Sequence, residues 1–271
     1  MIRITEQPSK YRHLETLRID EITASINKED KTVALAIEKA LPQVNALITS
    51  IVAKLKTGGR MFYLGAGSGG RLSVLDAIEL PTTYGVEKGL VNVILAGGAE
   101  HLIEALEEKE DDAAEGWVKL QEASISNKDI VIGISASGST PFVLGALKGC
   151  RENGITTGCI VSNPGSVIAK HADLPVEVVT GPEFITGSTR MKCGTAQKML
   201  CDMISTTTMI QLGRVEDNSM VNVKLINNKI IDRSVKMLME KSGMTDYDEA
   251  KKLLMAAGSV KNSLNNLLSI K

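Results

Sequence analysis

Three segments of this 271-residue chain combine glycine with hydroxyl or charged side chains in ways that suit an anionic ligand. The first, Gly65-Ala66-Gly67-Ser68-Gly69-Gly70-Arg71, follows an apolar run and opens a helical pattern. A glycine turn at a helix start leaves backbone N–H groups free, and the helix dipole favours negative charge there. The same residues fit the G-x-G-x-x-G dinucleotide fingerprint, which needs an acidic residue at the end of the second strand for the ribose hydroxyls. Here the second apolar run ends Leu95-Ala96-Gly97-Gly98, and Glu100 comes late, so a nicotinamide cofactor is disfavoured.

The second segment is Ser135-Ala136-Ser137-Gly138-Ser139-Thr140-Pro141. It is rich in hydroxyls, its glycine permits close backbone approach, and its proline suits a first helical turn. Serine-rich turns also serve as plain helix caps, and that alternative stays open for this loop taken alone. The third segment runs from Gly181-Pro182-Glu183-Phe184-Ile185-Thr186 through Gly187-Ser188-Thr189-Arg190-Met191-Lys192 to Cys193-Gly194-Thr195-Ala196-Gln197-Lys198. Its density of small, hydroxyl and basic residues exceeds what packing requires. The candidate binding residues are therefore Gly67, Ser68 and Gly69 from the first loop and Ser135, Ser137, Ser139 and Thr140 from the second. The third contributes Glu183, Thr186, Ser188 and Lys192.

The elements that must position these loops can be read from hydrophobic period. Short apolar runs at Met61–Leu64, Val91–Leu95, Ile130–Ile134, Thr157–Val161 and Val176–Val179 end in glycine or polar residues. They alternate with helical patterns at about 70–80, 99–123 and 141–153. Alternation of strand and helix predicts a doubly wound, three-layer αβα domain with a five-stranded parallel sheet. In the common order 2-1-3-4-5, the first two loops meet at the carboxyl ends of adjacent strands, where the ligand crevice of such sheets opens. Before the sheet, a short pattern covers Leu14–Ile26 and a long amphipathic helix covers 29–56, with Pro42 a possible kink point and Gly58-Gly59 its stop. After it, helical patterns cover 192–213, 217–241, 246–256 and 259–268. The expected organisation is a helical segment over 1–57 packing on a sheet domain over 58–214, with a helical subdomain over 215–271.

Composition narrows the ligand class. Thirty-one basic and 32 acidic residues give a net charge of −1, which argues against a nucleic-acid binder. Residues 215–271 carry nine basic and seven acidic groups, +2, leaving −3 for the rest, so neither part is strongly polarised. Only eight aromatic residues (three Phe, four Tyr, one Trp) mean few stacking platforms, so polar groups and backbone must hold a substrate. Cys150, Cys159, Cys193 and Cys201 lack C-x-x-C spacing and read as buried thiols in a reducing, cytoplasmic setting. His13, His101 and His171 have no metal-ligand spacing and read as surface or capping residues. The start lacks the apolar core of an export signal, and no run approaches 18 apolar residues, so no membrane association is expected.

The loops GAGSGGR and SASGSTP, and above all GPEFITGSTRMKCGTAQK, resemble the sugar isomerase (SIS) superfamily. Within it they are similar to the branch of the N-acetylmuramic acid 6-phosphate etherases and the glucokinase regulatory proteins. The resemblance runs from Thr5 to about Arg233, with similar helices beyond. It implies a phosphorylated amino sugar as substrate, a homodimer with sites near the subunit interface, and no metal or organic cofactor. The implied reaction releases D-lactate from the lactyl ether and leaves N-acetylglucosamine 6-phosphate, by elimination and then hydration, in cell-wall amino sugar recycling. One group removes the proton at sugar carbon 2 and another protonates the departing lactate, work that two carboxyls of different pKa can divide.

The resemblance also assigns the two carboxyls. Glu79, in Asp76-Ala77-Ile78-Glu79-Leu80-Pro81, aligns with the family's proton-transferring glutamate, and Glu110, in Glu108-Lys109-Glu110-Asp111-Asp112, with its second. Without it, Glu79 reads as a poor cap at a helix end and Glu110 as part of a solvated charged face. The chain departs from the family pattern at Gly69, Leu80, Thr82, Ser139 and Cys193, all in segments around the implied pocket. Those departures leave the precise substrate open. A non-catalytic sugar-phosphate sensor acting on a kinase is one alternative, though the regulatory proteins have two SIS domains. An aldose–ketose isomerase is the other.

Overall fold

The computed structural model describes residues 3–103 and 106–269. The chain divides into two units: one of residues 1–77 and 89–204, the other of residues 78–88 and 205–271.

The first unit is built on β1 (Met61–Gly65), β2 (Val91–Leu95), β3 (Ile130–Ser135), β4 (Thr156–Val161) and β5 (Leu174–Glu177). All pair in parallel, in the order β2-β1-β3-β4-β5. This is the order expected from the alternation of elements, with β5 beginning two residues earlier than its apolar run suggested. Gly65 stands opposite Leu95 of β2 and Ile134 of β3, so the chain leaves β1 and β3 at the same level on adjacent strands.

Side-chain alternation divides the sheet into two faces. Phe62, Leu64, Val131, Cys159 and Val161 pack with Phe142, Val143, Ala146 and Leu147 of α4 (Pro141–Glu152), Leu120 of α3 (Glu115–Glu122) and Ile168 of α5 (Val167–His171). A helix covers the opposite face: α1 (Ile19–Lys56) buries Val33, Ile37, Ala40, Val44, Leu47, Ile48, Ile51 and Leu55, one stripe at helical spacing. It approaches so closely that a Cβ on Gly158 of β4 would lie 2.5 Å from Leu47 Cδ1.

Three helical readings change. The two patterns before the sheet join from Ile19 onward into one 38-residue helix, α1, that continues through Pro42, while Leu14–Thr16 forms a separate 3-10 turn. Its start is fixed by Arg18 N–H donating to the Glu21 carboxylate at 2.9 Å. Of the expected helix over 99–123, positions 104–105 lie outside the described residues, and the described ones form two short 3-10 turns, Ala99–His101 and Glu107–Asp111, and then α3. Asp112 sets that break by accepting the N–H groups of Ala114 and Glu115, both at 3.0 Å. Such a carboxylate starts a helix and does not continue one.

In the second unit, the expected helix over 217–241 forms only as α7 (Asn228–Ser242). Asp217 takes a left-handed φ of 55°, Glu216 bridges Ser219, and Asn227 caps α7 through Ile230 N–H at 2.9 Å. The stretch that carries Asn218, Asn222, Asn227 and Asn228 therefore makes turns before α7, and α7 joins α8 (Tyr247–Ala257) and α9 (Val260–Ser269) around Val221, Val235, Leu238, Ala250, Leu254 and Val260. Two helices, α2 (Gly67–Tyr84) and α6 (Lys192–Gln211), carry the chain from one unit into the other. Among the described residues no helix is long and apolar enough to cross a membrane.

Candidate active site

A cavity of about 190 Å³ opens at the carboxyl ends of β1 and β3, where the first two loops leave the sheet. Gly67, Ser68 and Gly69 line one wall at the start of α2, and Ser135, Ser137 and Thr140 line another just before α4. Both walls offer helix-start N–H groups, which attract a phosphate without any basic side chain. Among the described residues no Lys, Arg or His lines the cavity.

The hydroxyl wall is held by its own hydrogen bonds. Ser135 Oγ lies 2.8 Å from Thr140 Oγ1 and 3.3 Å from Ser137 Oγ, and it accepts Gly138 N–H at 3.1 Å. Gly138 has φ 69°, and a Cβ there would lie 2.3 Å from Ser166 Oγ, so the turn requires glycine. Ser139 donates to Ser137 Oγ at 3.2 Å but faces a neighbouring cavity of about 370 Å³, with Arg3, Asn163 and Lys170.

Glu110 reaches the cavity from the 3-10 turn after β2. The charged run that reads as a solvated face thus turns one half-buried carboxyl inward. Burial raises its pKa above the ordinary glutamate range, and Glu107 beside it adds to the rise through charge and a hydrogen bond. Arg71, whose guanidinium holds Glu107 at 2.6 Å, opposes this more weakly. A carboxyl so placed keeps its proton into a range where an ordinary glutamate has lost it.

The other residues singled out from sequence lie elsewhere. Glu79 is exposed on α2 and does not line the cavity, on a helix face with exposed Leu75 and Ile78. Glu183 is buried and accepts the N–H groups of Lys192 and Cys193, at 2.8 and 2.9 Å, at the start of α6. Thr186 Oγ1 accepts Ser9 N–H at 2.9 Å, and Ser188 donates its N–H to Ile185 O. Lys192, 1% exposed, pairs with Glu29 of α1 at 2.7 Å. Cys193 is buried, which pushes its thiol up to about 12 and leaves it un-ionised at neutral pH.

Thr189, a candidate cap or ligand contact in the third segment, does line the cavity. The structure adds two residues to which sequence reasoning gave no site role, Glu6 and Gln197. Gln197 is 3% exposed on α6, beside buried Ala196 and Leu200, so a single amide on an apolar stripe was its available signal. Glu6 lies next to Thr5, where the family resemblance begins, and had no other signal.

Comparison with known proteins places this arrangement. Residues 43–151 match the glucokinase regulatory protein N-terminal SIS domain, and residues 112–206 match the SIS domain. A Bacteroides fragilis protein named N-acetylmuramic acid 6-phosphate etherase is 52% identical over 97% of this chain and 94% of its own length. One of the same name from Porphyromonas gingivalis is 50% identical over 96% of this chain and 94% of its own. Among solved structures, a phosphoheptose isomerase from Francisella tularensis shares the fold at 16% identity and a TM-score of 0.53, covering 70% of this chain and all (100%) of that one.

Proposed function

The chain belongs to the N-acetylmuramic acid 6-phosphate etherase family, and from that premise we propose how its residues divide the reaction. The substrate phosphate sits against the helix-start amides of Gly67–Gly69 and the hydroxyls of Ser68, Ser135, Ser137 and Thr140. The sugar, open as an aldehyde, extends past Glu110. One carboxylate takes the proton from carbon 2, and the other carboxyl gives a proton to the ether oxygen as the carbon–oxygen bond breaks. Water then adds to the unsaturated aldehyde, giving N-acetylglucosamine 6-phosphate and D-lactate. Glu110 and Glu79 are the pair that carries these proton transfers.

The observation that carries the reading is Glu110. A half-buried carboxyl with a raised pKa stands in a cavity that the Gly67–Gly69 turn and the hydroxyls of Ser68, Ser135, Ser137 and Thr140 also line. Glu79 enters through a homodimer, with the site near the subunit interface. Exposed Leu75 (42%) and Ile78 (63%) on the same face of α2 support a partner contact there. The setting is cytoplasmic recycling of cell-wall amino sugar.

Incubation of the purified protein with N-acetylmuramic acid 6-phosphate tests the reading. D-lactate is the expected product, and Glu79→Gln stops its release while phosphosugar binding survives. Binding without turnover by folded protein favours a sugar-phosphate sensor, and a ketose product favours an isomerase. Either result overturns the etherase assignment.

A further inference from the structure

The cavity holds a second carboxylate, that of Glu6, and neither the phosphate loops nor the proton transfers use it. It arrives on a strap, residues 3–11, pinned on both sides of Glu6. Before it, fully buried Thr5 donates its N–H to Asn163 Oδ1 at 3.2 Å and accepts Asn163 Nδ2 on its own hydroxyl at 2.9 Å. The same Asn163 amide donates to Ser137 O at 3.0 Å, so the strap and the hydroxyl wall share one anchor. After it, Ser9 donates its hydroxyl to Phe184 O at 2.7 Å and its N–H to Thr186 Oγ1. Tyr11 packs against the Phe184 ring at 4.8 Å and donates to Glu29 at 3.2 Å.

Within this fixed strap the Glu6 carboxylate points at Gly187, where a Cβ would lie 3.5 Å from its Oε2. No hydrogen bond or ion pair occupies it among the described residues. A carboxylate is an acceptor only, and next to a phosphate it is repelled unless the ligand offers donors. An amino sugar phosphate offers such donors away from its phosphate: the N–H of the 2-acetamido group and the sugar hydroxyls.

We propose that Glu6 is a substrate-contacting specificity residue, accepting hydrogen bonds from neutral N–H or O–H donors of the sugar. The inference rests on the etherase reading. It explains why a strap with buried anchors brings a charged side chain to a cavity already holding Glu110. The carboxylate penalises a bare anion and rewards a sugar that carries donors.

The test compares wild type, Glu6→Gln and Glu6→Ala as full-length protein. Glu6 is exposed, so these variants keep the fold. In Glu6→Ala the KM for N-acetylmuramic acid 6-phosphate rises about tenfold or more, the loss of a charged hydrogen bond. Inorganic phosphate binds equally well or more tightly. N-acetylglucosamine 6-phosphate and glucose 6-phosphate distinguish the donor: a loss confined to the first assigns the acetamido N–H, and an equal loss assigns hydroxyls. An unchanged KM overturns the proposal, as does equal weakening of phosphate and sugar phosphate, which would make the strap merely structural. If wild type releases no D-lactate, the etherase reading fails on its own. Glu6 is then judged by the two sugar phosphates against inorganic phosphate.

Discussion

Gly67 and Glu110 meet so closely that a Cβ on the glycine would lie 2.7 Å from Glu110 Oε1. Gly67 also has φ 53°, where a side chain is disfavoured. One residue thus lines the cavity at the start of α2 and makes room for the carboxyl. Gly67→Ala costs about 1 kcal/mol in stability from its backbone alone. Its larger effect is on turnover, because Glu110 must shift; a displacement near 1 Å lowers kcat by about a hundredfold. Thermal unfolding and D-lactate release measured together separate the two effects. A folded variant with wild-type kcat contradicts the contact.

The surroundings of Glu110 give opposite shifts on two substitutions. Burial raises its pKa first, and Glu107 raises it further, while Arg71 lowers it. Glu107→Gln removes a raising neighbour, so the limb of the pH–rate profile that reports Glu110 moves to lower pH. Arg71→Ala removes the lowering charge, and that limb moves to higher pH. Both residues have exposed or half-exposed side chains, so neither substitution opens the core. Limbs that move in the same direction, or not at all, sink this account of the carboxyl.

The sheet and its two loops were legible because buried parallel strands read as short apolar runs and glycines mark where they end. The order of β1 and β3 followed from common topology, and it brought Ser68 and Ser137 to one cavity. Long-range relations were not legible. Nothing local in Glu6 distinguishes it, since its place depends on Thr5 meeting Asn163 across 158 residues. Lys192 read as a ligand contact because it follows a hydroxyl-rich turn, yet its ammonium pairs with Glu29 from across 163 residues. The Asn-rich stretch before α7 kept a helical period while its residues favoured turns, and the turns won.

The Glu29–Lys192 pair has a stability signature. Burial alone would raise the Glu29 pKa, but Lys192, Lys10 and Tyr11 together hold it below the usual range. A carboxyl depressed in the folded state adds stability above its unfolded pKa, about 4.3, and loses it as pH falls through the folded value. Lys192→Met leaves the carboxylate buried beside exposed Lys10 and costs about 3 kcal/mol at neutral pH. Because the variant's Glu29 titrates higher, that gap narrows toward low pH. Urea unfolding at pH 7 and near pH 4 checks both parts. A gap that widens on acidification rules out the pairing as the source.

The exposed position of Glu79 and the inward position of Glu110 lead to a test by mixing subunits. Suppose a homodimer builds each site from Glu79 of one copy and Glu110 of the other. Glu79→Gln and Glu110→Gln homodimers are then each inactive. Unfolding and reassembling them together produces heterodimers in which one site has both substitutions and the other has neither. Random pairing restores about a quarter of wild-type sites, since half the dimers are mixed and each carries one intact site. If both glutamates of a site come from one copy, each site in the mixed dimer lacks one, and no activity returns. D-lactate release after mixing reads the difference directly. Recovery near a quarter assigns Glu79 to the partner's site, and no recovery assigns both carboxyls to one chain.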